Sequence, residues 1–182
     1  MNIEETFIKD LVVVNPAVFP DERGYFFEAY NHGKFQEKGI HYNFIQDNQS
    51  FSKRGVIRGL HLQINPFAQA KLVRVLEGEI LDVAVDLRKG SPTYGQHFSI
   101  VLSATNKKQL MVPHGFAHGF SVLSATASVL YKVDQVYHKD SERGIRYDDS
   151  TLNIDWQLTP EETIVSEKDL VLPSFESIDW EF

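Results

Sequence analysis

Apolar and polar positions alternate with a period of two along much of the chain. Leu81, Val83, Val85 and Leu87 alternate with Ile80, Asp82, Ala84 and Asp86, the spacing of a strand whose side chains point to opposite faces. Just before it, Val73 and Val75 alternate with Leu72, Arg74 and Leu76, and Glu77-Gly78-Glu79 joins the two runs. A short glycine-containing link between alternating runs predicts a hairpin. Val129, Tyr131 and Val133 alternate with Leu130, Lys132 and Asp134. Further strand-like runs are Leu11–Val14, Tyr25–Tyr30, Gly55–Gln63, His97–Leu102, Gln109–Val112 and Ala117–Leu123. Strands recurring at about ten-residue intervals predict a β-sandwich or barrel.

Helical signals are few. Asn31–Lys38 ends at Gly39, a C-terminal cap signal. Thr159-Pro160-Glu161-Glu162 reads as an N-cap, a first-turn proline and first-turn acids. No repeat, low-complexity tract or Pro/Gly/Ser linker divides the chain, so residues 1–182 are expected to form one domain, with 159–182 a C-terminal appendage packing on the barrel.

Composition narrows the function. The 182 residues carry 18 Lys plus Arg against 25 Asp plus Glu, a formal charge of −7. An acidic chain lacks the broad basic surface that phosphate backbones require, which argues against nucleic acid as a partner. It leaves room for a local basic pocket. Cysteine is absent, removing disulfides, thiolate ligands and thiol nucleophiles together. No basic-then-apolar leader opens the sequence and no run of about 18 apolar residues occurs, so neither a signal peptide nor a membrane span is expected, and the cytoplasm is the default compartment.

Several side chains are candidates for chemistry, each with a plainer structural reading. His61 is either a hydrogen-bonded barrel-wall histidine or a general base, since imidazole titrates near working pH. Arg58 and His61 lie three apart, so a regular strand cannot aim both at one face; a shared site requires the strand to bulge or bend near Gly59. Lys71 is in phase with Val73 and Val75 and is either an inward cation or an edge lysine that discourages pairing. Tyr131 is either a satisfied core tyrosine or a proton donor. Asp169 follows Ser166 at capping-box spacing, or orients an imidazole. His114 and His118 have the i, i+4 spacing of a zinc pair, but two glycines and a preceding proline predict a turn leading into a strand rather than a helix.

The strings Phe-Pro-Asp-Glu-Arg-Gly-Tyr-Phe-Phe-Glu (19–28), Gln-Asp-Asn (46–48), Arg-Gly-Leu-His (58–61), Lys-Leu-Val-Arg (71–74), Asp-Val-Ala-Val-Asp-Leu-Arg (82–88), Gly-Phe-Ala-His-Gly-Phe (115–120) and Glu-Arg-Gly-Ile (142–145) occur in this order. In order and spacing they resemble the dTDP-4-dehydrorhamnose 3,5-epimerase family from about Asn2 to Asp169. The resemblance implies a mainly β, cupin-type jelly-roll barrel or sandwich with a few short helices. It also implies a sugar-nucleotide epimerase that inverts carbons flanking a C4 ketone, with no cofactor. On this resemblance His61 is the base, Asp169 its partner, Tyr131 the proton donor and Lys71 the group at the enolate oxygen. Arg23, Glu28, Gln46, Asn48, Arg58, His118, Glu142 and Lys168 match substrate-contacting positions, with Arg23 and Arg58 suited to a diphosphate. A homodimer in which one subunit completes the other's site is implied as well.

A cupin metal site usually pairs His-x-His with a carboxylate and a distant His. Here Gln63 takes the place of the second His, and Lys71 would repel a divalent cation, so no metal is expected. His114, Lys139 and Tyr147-Asp148-Asp149 depart from the commonest family pattern and leave a single-carbon epimerase open. A non-catalytic sugar-nucleotide-binding cupin and a metal-dependent oxygenase are the readings from other classes.

Overall fold

The computed structural model describes all residues, Met1–Phe182. In chain order the elements are β1 (Asn2–Glu5), β2 (Val12–Asn15), β3 (Val18–Asp21), β4 (Gly24–Phe27), α1 (His32–Glu37), β5 (Gln46–Lys53), β6 (Ile57–Gln63), β7 (Lys71–Glu77), β8 (Glu79–Asp86), β9 (His97–Ser103), β10 (Gln109–Val112), β11 (Phe116–Val122), β12 (Thr126–Val133), β13 (Glu142–Gly144) and α2 (Glu167–Leu170). One sheet has six strands in the order β1-β2-β10-β7-β12-β5, and the other has five in the order β13-β6-β11-β8-β9. β3 and β4 form a separate two-stranded ribbon. The mainly β, cupin-type sandwich implied by the resemblance is the architecture observed. No helix is long and apolar enough to cross a membrane.

Three apolar clusters explain the layering. Val73, Val75, Val129, Ile80, Ala84, Phe116 and Phe120 fill the space between the sheets. Leu60, Leu62, Leu81, Val83, Val85 and Ile145 cover the outer face of the five-stranded sheet, where Trp156, Val165, Phe175, Ile178 and Trp180 pack on them. Val12, Val14, Leu72 and Met111 form the outer face of the other sheet, capped by Phe35 of α1 and by Ile40. β8 is therefore buried on both faces beyond its first residue, which is why its run is nearly continuous in apolar residues.

Two local expectations are corrected. β7 and β8 do not form a hairpin: β7 pairs with β10 and β12, and β8 with β11 and β9. The link at Gly78 carries the chain from one sheet to the other, so that Val75 and Ile80 pack in the same inter-sheet core. Gly78 has φ +79, and a Cβ there would lie 2.0 Å from the Thr126 carbonyl oxygen, so only glycine fits this corner. Thr159–Glu162 does begin like a helix, with Glu162 N–H donating to Thr159 O at 3.1 Å and Thr159 N–H to Glu162 Oε2 at 3.2 Å. It stops after one turn because Ile164 is drawn into a parallel bridge with Val56. There Ile164 N–H donates to Gly55 O at 2.8 Å, and Ile57 N–H to Ile164 O at 2.9 Å. The other helix, α1, forms as expected, with the Asn31 side chain capping Lys34 N–H.

Candidate active site

A cleft of about 490 Å³ opens between the sheets, and His61, Lys71, His118, Tyr131, Arg58, Lys168 and Asp169 all line it. An adjoining compartment of about 370 Å³ shares His61, Lys71 and Tyr131 and adds Gln46, Asn48, Tyr137 and Glu142. A larger hollow of about 650 Å³ near Ile3, Lys9 and Tyr42 holds no comparable convergence of acid, base and cation, so chemistry and not size selects the site.

The distortion required near Gly59 is present as a bulge. Against β11, His61 is opposite His118 but Arg58 is opposite Phe120, so β6 spends three steps where β11 spends two. The extra residue turns Arg58 and His61 to the same side, while Leu60 and Leu62 pack outward. Gly59 adopts φ +118, and a Cβ on it would meet Gly119 Cα at 2.5 Å. The two glycines let β6 and β11 approach closely at the bulge.

His61 Nε2 lies 2.7 Å from Asp169 Oδ1. Asp169 is buried, and burial pushes its carboxyl up. The hydrogen bond and charge of His61, the Gly59 N–H and the Ser166 hydroxyl outweigh that and hold it below the ordinary carboxylate value. An ionised partner assigns the proton to Nε2 and leaves the Nδ1 lone pair free. Asp169 is also the third residue of α2, and its N–H donates to Ser166 Oγ at 3.2 Å. Both readings of Asp169 therefore hold at once, since the cap fixes the backbone from which the carboxylate reaches His61.

Lys71 and Tyr131 face His61 from the opposite sheet. Lys71 Nζ donates to the His61 carbonyl at 3.2 Å. Burial lowers its pKa to about 8, and the charges of Asp82 and Glu142 oppose that fall. Tyr131 is raised by burial and by Glu142, with Arg58 and the Asn48 side chain pulling the other way. Tyr131 sits opposite Asn48 of β5 and Val73 of β7, so the inward phase read from Val129 and Val133 is observed.

The remaining contacts divide in two groups. Arg58 Nε donates to Ser52 Oγ at 3.0 Å. Lys168 Nζ donates to Glu142 Oε2 at 2.6 Å, which also accepts Tyr137 Oη–H at 2.8 Å. Gln46 Nε2 donates to Asn48 Oδ1 at 2.8 Å. His118 Nε2 lies 2.8 Å from Asp82 Oδ1. Arg23 and Glu28 do not reach this cleft: Arg23 pairs with Asp21 at 2.6 Å at the tip of the β3–β4 ribbon, and Glu28 with Lys34 at 2.8 Å.

Gln63 spends its amide elsewhere, donating to Phe67 O at 2.6 Å and Val136 O at 3.1 Å while accepting from His138 N–H at 2.7 Å. It ties down the loop that carries Tyr137. His114 and His118 do not meet: His114 Nε2 lies 2.8 Å from Asp134 Oδ2, on the turn preceding β11. Asp82 and Tyr137 were not singled out from the sequence. The signal for Asp82 was an acid in the middle of an otherwise apolar strand.

Comparison with known proteins finds relatives that match almost the whole chain. The family model described as dTDP-4-dehydrorhamnose 3,5-epimerase matches residues 5–177. A Shigella flexneri protein of that name is 48% identical over 181 residues, 99% of each chain. The crystal structure of dTDP-4-dehydrorhamnose 3,5-epimerase from Elizabethkingia anophelis superposes with a TM-score of 0.95 at 51% identity, covering 99% of both chains. That of dTDP-6-deoxy-D-glucose-3,5-epimerase from Legionella pneumophila, in complex with dTDP-4-keto-L-rhamnose, gives 0.94 at 47% identity, covering 98% of this chain and 94% of that one. A cleft that sets an Asp-paired histidine against a tyrosine and a lysine, on a chain similar to these over almost its whole length, makes this protein an isomerase belonging to the dTDP-4-dehydrorhamnose 3,5-epimerase family.

Proposed function

We propose that the chain inverts both C3 and C5 of dTDP-4-keto-6-deoxyglucose, with His61 as base, Tyr131 as acid and Lys71 at the enolate oxygen. The observation that carries this reading is the placement of His61 on one sheet and of Tyr131 and Lys71 on the facing one, all lining one cleft. The C4 carbonyl acidifies the protons on C3 and C5. Inversion takes a proton from one face of the ring and returns one to the other. The free Nδ1 of His61 accepts the first proton, and Asp169 stabilises the imidazolium that results. Charge then develops on the C4 oxygen, where the ammonium of Lys71 is already in place. The Tyr131 hydroxyl, kept protonated by burial, delivers a proton from across the cleft. Arg58 and Lys168 supply positive charge for the diphosphate.

The homodimer belongs to the same proposal. The β3–β4 ribbon exposes Phe19, Tyr25 and Phe26 to 61%, 57% and 69%, an aromatic surface that a second copy would cover. The ribbon also carries Arg23, which its own cleft does not use; in a pair of subunits it serves the partner's diphosphate.

Solvent deuterium tests the reaction. In D₂O, label is expected at C3 and C5 of the substrate. Label at one carbon alone identifies a single-carbon epimerase, and none at either defeats the epimerase reading.

A further inference from the structure

Asp82 is fully buried on β8, an interior strand of the five-stranded sheet. Its neighbours along the strand, Leu81 and Val83, are packed in apolar clusters. One carboxylate oxygen accepts from His118 at 2.8 Å, and the other, Oδ2, has no hydrogen-bond donor. A half-satisfied carboxylate in a sheet interior is destabilising, so its presence calls for a reason beyond folding. The register supplies the geometry. On β11, His118 is opposite Ala84 and Phe120 is opposite Asp82, so Asp82 and His118 are diagonal neighbours on the face turned toward the cleft.

We propose that Asp82 is a positioning residue of the active site, which fixes the His118 ring at the cleft wall and keeps a negative charge beside Lys71. The inference rests on the reading that Lys71 meets the enolate oxygen. Accepting from Nε2 assigns the His118 proton to that nitrogen and leaves Nδ1 as the ring's remaining polar atom. Two carboxylates act on the Lys71 charge, Asp82 from β8 and Glu142 from β13, while His61, Arg58, His118, Tyr131, Lys168 and Asp169 share its cleft. Both carboxylates hold Lys71 in its charged form against burial. Glu142 is already neutralised by Lys168. Asp82, by contrast, has His118 as its one side-chain partner and no lysine or arginine paired with it.

The test compares the pH dependence of deuterium exchange in the unaltered protein and in Asp82→Asn, which keeps the shape and an acceptor but removes the charge. With less opposition to burial, Lys71 loses its proton sooner, and the alkaline limb moves to lower pH by about one unit. Asp82→Ala also frees the His118 ring and raises KM several-fold more than Asp82→Asn does. An unmoved alkaline limb in a variant with unchanged circular dichroism overturns the proposal. If Asp82→Asn does not fold, ¹⁵N spectra of the unaltered protein decide: His118 protonated at Nε2 supports the assignment, and protonation at Nδ1 overturns it. Failure of the unaltered protein to exchange defeats the epimerase reading; exchange with an unmoved limb in the variant defeats only the role of Asp82.

Discussion

His61 and His118 stand directly opposite each other on β6 and β11, and each presents Nε2 to a carboxylate. The first reaches Asp169 at 2.7 Å and the second Asp82 at 2.8 Å. The two acids arrive by different routes, one from a capped helix turn near the C-terminus and one from the middle of β8. The cleft wall is thus a pair of imidazoles held by charge-assisted hydrogen bonds, with the Gly59 bulge setting their phase.

His61→Asn should abolish deuterium exchange at both carbons, because no other base replaces Nδ1. Asp169→Asn should lower kcat by roughly 10²-fold or more while leaving the Ser166 cap in place, since the backbone N–H is retained and the charge on the imidazolium is no longer balanced. Single-turnover exchange measured by NMR checks both. An Asp169→Asn variant with unchanged kcat would remove Asp169 from the mechanism.

Tyr131→Phe separates the two proton transfers. Label should still enter the substrate, because His61 remains to take the first proton, while conversion to the epimerised product falls much further. Equal loss of exchange and turnover would count against Tyr131 as the acid.

Lys71 sets the alkaline limit. Its pKa is lowered to about 8, so the ammonium is lost as pH rises through that value, and activity should decline over the same range. In Lys71→Met the cation is gone at every pH. Turnover should fall by about 10²- to 10³-fold, the scale of losing one preorganised donor at an oxyanion, and the limb near pH 8 should vanish. A Lys71→Met profile with the same limb would assign it to another group.

Arg23 is expected to act across a subunit boundary. Neither Arg23→Ala nor His61→Asn should be active alone. Unfolded together and refolded at equal amounts, they should recover about a quarter of the original activity, because half the pairs are mixed and each mixed pair has one intact site. No recovery in mixtures shown to contain mixed pairs would place Arg23 in its own subunit's site.

Acid stability should follow Asp86. Burial pushes its carboxyl up, but hydrogen bonds from Arg88, Ser91 and Thr93 overcome this and bring it from 3.8 down to about 2. A carboxyl lowered on folding stabilises the native state above its unfolded value and loses that effect as pH falls from about 4 to about 2, a contribution of about 2 kcal/mol. Denaturation at pH 7 should show Asp86→Asn weaker by that amount, and the difference should shrink below pH 4.

The sequence made strands legible where side chains bury one phase, and obscure where they do not. β8, β9, β10 and β12 were readable from Val, Ile and Leu. β5 was not, because Gln46-Asp47-Asn48-Gln49-Ser50 is polar throughout and lies at the sheet edge. The need for a bulge or bend near Gly59 followed from the three-residue spacing of Arg58 and His61, and the register shift against β11 makes it a bulge. The corner at Gly78 did not, since a glycine between alternating runs looks the same whether the strands pair or part. Thr159 showed the helix start but not the long-range bridge of Ile164 that stops it. In the site, Lys71 and Tyr131 were visible as polar residues in phase with valines, and His61 as a histidine within a strand-like run. Asp82 showed only as an acid within an apolar run; its partner His118, 36 residues away, was not visible locally.

Apart from Asp169, which comes from α2, the reactive side chains belong to strands and not to loops. His61, Lys71, His118 and Tyr131 belong to the hydrogen-bonded ladders that enclose the central core. Amides in such ladders exchange with solvent only when the whole domain opens. On heating, catalytic competence and the native sheet should therefore disappear at one temperature.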